Sequence, residues 1–155
     1  MAVEPAATRD YAFFSYSHKD GKWLDRLILH VRPLVREGQL KIFSDRDIAV
    51  GADWRAEIES ALDAAGIAVL LVSVHFLASD FIMNEEVPRL LAGAANKGTK
   101  ILPVIVTPSM FEMTPSLYRF QAANPPERPL NSMRQSEWQS VLANVAREIQ
   151  RHVTS

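Results

Sequence analysis

The chain of 155 residues has no cysteine. This excludes a disulfide framework, a thiolate metal site and a cysteine nucleophile, and it suits a reducing, cytoplasmic compartment. Histidine is sparse: His18, His30, His75 and His152 are scattered without ligand spacing, so no metal site is expected. Charge of one sign is also missing. Seventeen Lys and Arg stand against eighteen Asp and Glu, a net −1 with no basic block, so neither a nucleic-acid surface nor a membrane surface is expected. No apolar run approaches the ~20 residues that span a bilayer. The longest, Ile67 to Val72, has the length of a strand. Met1 to Arg9 carries Glu4 and no apolar stretch, unlike a signal peptide. Residues 1–8 read as a disordered lead-in and residues 9–155 as one domain.

What is present alternates between two periods. Arg9 to Ser15 reads as an aromatic-rich strand that runs into a polar cluster, Ser15 to Asp20. Leu24, Leu27, Ile28, Val31, Leu34 and Val35 recur at threes and fours and predict a helix to about Glu37, stopped by Gly38. Pro33 lies inside this pattern and is expected to kink the helix or shift its ends. Leu40 to Phe43 predicts a second strand, and Ser44 to Ala52 a polar loop. Asp53 caps a helix whose inner face is Trp54, Ile58, Ala61, Leu62 and Ala65, with Gly66 ending it. Ile67 to Val72 is apolar without alternation, as a parallel strand buried on both faces requires. Ser73 to Asp80 reads as a loop. A helix from about Ile82 to Lys97 follows, its ordered start placed near Asn84 to Val87 because Pro88 belongs in a first turn.

Ile101 to Val106 predicts a fourth strand, and Pro103 points to an edge or near-edge position for it. Thr107 to Leu130 holds five of the nine prolines and reads as irregular, with one helical turn near Leu117 to Gln121. A last helix is predicted from Gln135 to Val153, with Ser132 and Gln135 at capping-box spacing. Strands alternating with helices give an α/β, flavodoxin-like three-layer fold with a central parallel β-sheet flanked by helices. Ligands in such sheets bind outside the carboxyl ends of the strands. Two functions of this fold class fail on residues. A phosphoacceptor receiver needs an aspartate where this chain has Ser73, and a lysine after a later strand, whereas Lys100 precedes one. A Rossmann dinucleotide domain needs a Gly-x-Gly-x-x-Gly turn after its first strand, where only Gly21 occurs.

The strand-end loops carry a resemblance. Tyr11 to Asp20, an aromatic strand entering Ser-Tyr-Ser-His-Lys-Asp, resembles the first box of TIR (Toll/interleukin-1 receptor) domains. Phe43-Ser44-Asp45-Arg46-Asp47-Ile48-Ala49-Val50-Gly51 resembles the second box, the BB loop. Leu70 to Ser79 resembles the third strand and its loop, with Ser-x-x-Phe-x-x-Ser spacing. The first and second boxes resemble bacterial members in particular, which cleave NAD⁺ in immune and antiviral defence signalling. The TIR there is an effector fused to a sensor module, from which this chain reads as excised.

The resemblance implies a glutamate at the start of the helix after the third strand, four residues beyond a tryptophan. This segment, Ser79 to Val87, has no tryptophan. Glu86 precedes an apolar residue and puts Ile82 in the tryptophan's place; Glu85 with Phe81 is the other register. Acidic residues at a helix N-terminus also serve simply to offset the macrodipole. The resemblance assigns Glu86 the catalytic role, with Glu85 as the alternative. It assigns substrate contact to Phe14, Ser15, Ser17, Asp45, Ser73, Phe81 and Ile82. Ser44 to Gly51, with Asp45, Arg46, Asp47, Ile48, Ala49 and Val50 between, would form the assembly loop that reaches a neighbouring TIR domain. The implied partners are NAD⁺ as substrate and further TIR domains, with no cofactor or metal. The other reading from the same resemblance is a non-enzymatic scaffold that signals through TIR–TIR contacts.

Overall fold

The computed structural model describes residues 10–44 and 51–154. Four strands, β1 (Tyr11–Ser15), β2 (Lys41–Phe43), β3 (Ala65–Val72) and β4 (Lys100–Ile105), form one parallel sheet in the order β2-β1-β3-β4. The helices are α1 (Gly21–Arg36), α2 (Trp54–Ala64), α3 (Val74–Ala78), α4 (Val87–Lys97), α5 (Pro115–Tyr118) and α6 (Gln135–Thr154). Every residue of β3 is buried, which is why its sequence lacks alternation. One core lies between the sheet and α1 with α6, built on Phe14, Leu24, Leu27, Val69 and Leu142. The other lies between the sheet and α2 with α4, built on Phe13, Ile58, Leu70, Phe76 and Leu90. Phe13 and Phe14 face opposite sides, as the two-residue period of a strand dictates. Trp23 and Trp138 join α1 to α6 edge to face, ring centroids 5.5 Å apart. The Arg26 guanidinium lies 4.5 Å from each ring.

Several boundaries depart from the pattern. α1 runs through Pro33 to Arg36, with ends close to those the periodicity implies. Pro33 and Leu29 are both exposed, so water can serve the carbonyl that the proline leaves without a donor. Gly66 does not end α2: Ala65 is already extended and opens β3, with Gly66 inside the strand. The segment after Ser73 is not a simple loop. Ser73 accepts a hydrogen bond from the Phe76 N–H at 3.0 Å and caps α3, a helix too short to show a period. The reach-back contact at the start of α6 is made two residues on from the predicted pair. Ser132 sits in a 3₁₀ turn and donates to Pro129 C=O, while Glu137 reaches back to the Arg134 N–H at 3.2 Å.

β4 is an edge strand, as Pro103 favours. Its outer backbone groups are covered by the irregular segment after α5. Ala123 N–H donates to Pro103 C=O at 2.8 Å. The buried Asn124 side chain accepts from Ile105 N–H and donates to Ile105 C=O, both at 2.9 Å. One amide thus imitates a neighbouring strand. Pro103 shares the outward parity of Ile105, so its missing donor falls on the side away from β3.

Candidate active site

Two polar links join the carboxyl end of β1 to the segments that follow β3. After β1 the chain turns through Tyr16 to Asp20. Ser17 Oγ accepts from the Lys19 N–H at 3.3 Å, and Ser17 C=O from the Asp20 N–H at 2.8 Å. These bonds form a 3₁₀ turn, His18–Asp20, that leads straight into α1. Asp20 is buried and accepts a hydrogen bond from Ser73 Oγ at 2.5 Å. Ser73 therefore serves two elements: it caps α3 and secures the loop after β1.

The second link involves the two glutamates. After α3 the chain makes a π-helical turn, Ile82–Glu86, before α4. Its entry is fixed by Ser79, whose Oγ accepts from Ile82 N–H at 3.2 Å and whose C=O accepts from Met83 N–H at 3.0 Å. The turn closes where Val87 N–H donates to Ile82 C=O, five residues back. The cause lies next door. Pro88 has no N–H, and its ring crowds the carbonyl four residues earlier, so a widened turn accommodates it. α4 itself starts at Val87 with Pro88 in its first turn, as expected, but a wide helical turn and not a loop leads into it.

This turn separates Glu85 from Glu86. The Glu86 side chain is buried, 5% exposed, and its Oε1 accepts a hydrogen bond from Ser15 Oγ at 2.7 Å. Glu85 is partly exposed and pairs with Arg55 on α2 at 3.7 Å. A hydroxyl donating to a buried carboxylate offsets part of the water that the anion has lost. Ile82 and Val87, at the two ends of the wide turn, are both in the core, and the Ser15 bond orients the carboxylate.

Glu86 lines a cavity of about 330 Å³. The loop after β1 contributes Tyr16, Ser17, His18 and Lys19 to it, and the helical region after α3 contributes Ser79, Phe81, Ile82 and Glu86. The structure thus brings together Ser17, Phe81, Ile82 and Glu86 around one space, with Ser15 bonded to the carboxylate. Phe14 lies in the core against α1 and α6, and Ser73 is engaged by Asp20. Ser44 is buried at the end of β2. Asp45, Arg46, Asp47, Ile48, Ala49 and Val50 lie outside the described residues. Gly51, just beyond them, has φ of 86°, a backbone angle that favours glycine. The resemblance does not assign Tyr16, His18, Lys19 or Ser79 a substrate contact. Ser79 closes the Ser-x-x-Phe-x-x-Ser spacing quoted above, and the other three carry the weaker signal of lying within the first box. Among the described residues, no group of three or more His, Asp or Glu is placed to hold a metal ion, and no helix is long and apolar enough to cross a membrane.

A parallel α/β domain with a buried carboxylate facing a cavity at its strand ends is the class that fold and site define. The chain belongs to the TIR domain family, which it matches from residue 12 to residue 128. It is 33% identical over 94 residues to the uncharacterized protein y4lF of Sinorhizobium fredii (strain NBRC 101917 / NGR234), covering 61% of this chain. The match spans 29% of that protein's length. The fold is similar to the TIR domain of the Toll-related receptor TRR-2 of Hydra magnipapillata. There the TM-score is 0.53 at 20% identity, over 90% of this chain and 97% of that one. It is also similar to the TIR domains of the activated Roq1 resistosome directly recognizing the pathogen effector XopQ. There the TM-score is 0.54 at 21% identity, over 88% of this chain and 83% of that one.

Proposed function

We propose that this TIR domain cleaves the nicotinamide–ribose bond of NAD⁺ and releases nicotinamide with ADP-ribose or a cyclic ADP-ribose isomer. In this reading the activity is switched on when several copies assemble, in bacterial defence signalling. The observation that carries the reading is the buried Glu86 carboxylate, braced by Ser15 and facing a cavity at the strand ends. A structural acid at a helix start has no need to be buried, whereas a group that must act on developing charge gains from exclusion of water. The cavity lies at the small end of the ~300–1,000 Å³ range of ligand sites. It suits the nicotinamide riboside half, where the reaction occurs.

The chemistry follows from the charge on the substrate. The C1′–N bond breaks with its electron pair passing to the pyridinium ring, which leaves as neutral nicotinamide and needs no acid. Positive charge develops on C1′ and the ribose ring oxygen. The Glu86 carboxylate stabilises that charge and holds the ribose hydroxyls, while Ser15 keeps the carboxylate aimed. Water then adds to C1′ and loses its proton, or a nitrogen of the adenine adds in its place to close a ring.

The test is incubation with NAD⁺ in dilute solution and when the protein is clustered on a surface, with nicotinamide measured over time. Release on clustering, persisting in chelator, is the expected result. Release that stops in chelator and returns with zinc or magnesium would contradict the carboxylate mechanism. No release under any clustering would leave the non-enzymatic scaffold as the function.

A further inference from the structure

Besides Tyr16, which is buried, two ring-bearing side chains line the cavity that holds Glu86, His18 and Phe81, one from each of its two contributing segments. We propose that His18 supplies a flat surface for the substrate's ring: its imidazole, together with Phe81 from the chain's second contribution to the cavity, clamps the planar pyridinium ring of the substrate. The inference rests on the NAD⁺-cleaving reading and assigns a binding residue to that same site. Three observations carry it. His18 lines the cavity that holds Glu86, and its side chain is exposed. Its ring stacks on Tyr16, centroids 5.8 Å apart and planes 30° off parallel, and Tyr16 is itself buried in the core. An imidazole backed in this way presents a flat wall with little freedom left to lose on binding. Lastly, the turn that bears it is held at both ends, by Ser17 at its start and by Asp20 on Ser73 at its close.

Phe81 meets the same need from the other segment. Among the described residues it is one of six large hydrophobic side chains left exposed, at 39%, and it too lines the cavity. Two aromatic rings from two chain segments, with a carboxylate in the same cavity, match a ligand that is planar, aromatic and positively charged at the bond to be broken. Ring stacking prefers offset, near-parallel planes and is sequence-tolerant toward heteroaromatic partners.

The experiment compares His18→Ala, His18→Phe and His18→Gln in the clustered protein. The inference expects His18→Ala to raise KM for NAD⁺ roughly three- to tenfold with kcat within about twofold, as loss of one stacked ring implies. His18→Phe should return KM to near the wild-type value and His18→Gln should not. The opposite order, rescue by glutamine alone, would assign His18 a hydrogen bond and overturn the stacking role. Unchanged KM in all three would also overturn it while leaving the NAD⁺-cleaving reading intact. A second measurement is NAD⁺ affinity by calorimetry in Glu86→Gln with and without His18→Ala, which needs no turnover. Equal affinity in the two would refute the clamp. Absence of nicotinamide release from the wild type, with no NAD⁺ binding by calorimetry, would remove both the reading and the inference built on it.

Discussion

Substitution of Glu86 by glutamine keeps the shape of the side chain and removes its charge. The cost to catalysis can be worked from the site. A unit charge developing about 4 Å from a carboxylate, at an effective dielectric near 20, is worth ~4 kcal/mol. Loss of all of it would slow the reaction about 10³-fold, and partial replacement by the amide dipole reduces this, so a fall on the order of 10²–10³ in kcat is expected. The fold should survive. In Glu86→Gln the side-chain amide carbonyl can still accept from Ser15 Oγ, which in the wild type bonds Glu86 at 2.7 Å. Removing a buried charge also relieves its desolvation cost, so the change in stability should stay within about 1 kcal/mol. The assay is nicotinamide release from the clustered protein beside a thermal melt. Ser15→Ala is the companion variant: it keeps the charge but takes its donor away, and a smaller fall of roughly tenfold is expected. Wild-type turnover in folded Glu86→Gln would refute the catalytic assignment. If Glu85→Gln were the dead variant instead, the role would pass to the neighbour that now pairs with Arg55.

Ser73→Ala leaves the buried Asp20 without its hydroxyl donor and α3 without its cap, and should lower unfolding free energy by roughly 2–4 kcal/mol in a denaturant titration; a loss below about 1 kcal/mol would show that the link between the strand ends bears little. Arg128, which donates to Glu137, and the Arg134 N–H hold the Glu137 carboxyl below its ordinary value. A depressed carboxyl stabilises the fold above its unfolded-state pKa and loses that contribution as pH falls through the folded one. The melting-temperature gap between wild type and Glu137→Gln should therefore be present at neutral pH and close in acid. For assembly, specific activity should rise with protein concentration, and Arg46→Glu or Gly51→Pro should abolish the rise without unfolding the monomer, since proline cannot adopt the positive φ of Gly51. High activity that is flat across concentration, from a species monomeric by light scattering, would sink the assembly-gated mechanism.

The order of strands and helices was legible because each long element buries a whole face. Ile67 to Val72 could be read as the central strand from its unbroken apolar run, and β3 is indeed buried along its full length. Pro103 announced an edge or near-edge strand. What covers that edge was not legible, because Asn124 reaches Ile105 from an irregular segment where no period exists to read. The five-residue α3 is hidden for a related reason: one and a half turns hold too few apolar positions to show a repeat. Its cap, Ser73, was visible only as a turn residue.

The wide turn before α4 marks the limit more sharply. A helical wheel advances 100° per residue, and a run of apolar positions is phased on that assumption. The π turn breaks the phase. Ile82 and Val87 are both buried although five residues separate them, and their backbones are joined by the Val87 N–H to Ile82 C=O bond. On an unbroken wheel Glu86 falls about 40° from both Ile82 and Leu90, on their buried face, whereas Val87 falls about 140° from Ile82, and the wide turn is what brings it into the core. The sequence held one trace of this. Pro88 sat too far into an apparent helix, a conflict that could be resolved by a late start or by a widened turn. The structure combines the two: α4 starts at Val87 with Pro88 in its first turn, and the wide turn before it bonds Ile82 N–H to Ser79, with Glu86 on Ser15 and Glu85 on Arg55. Glu86 could be picked out by its spacing from Ile82; what the sequence did not show was the wide turn that lets Val87 join the core beside it.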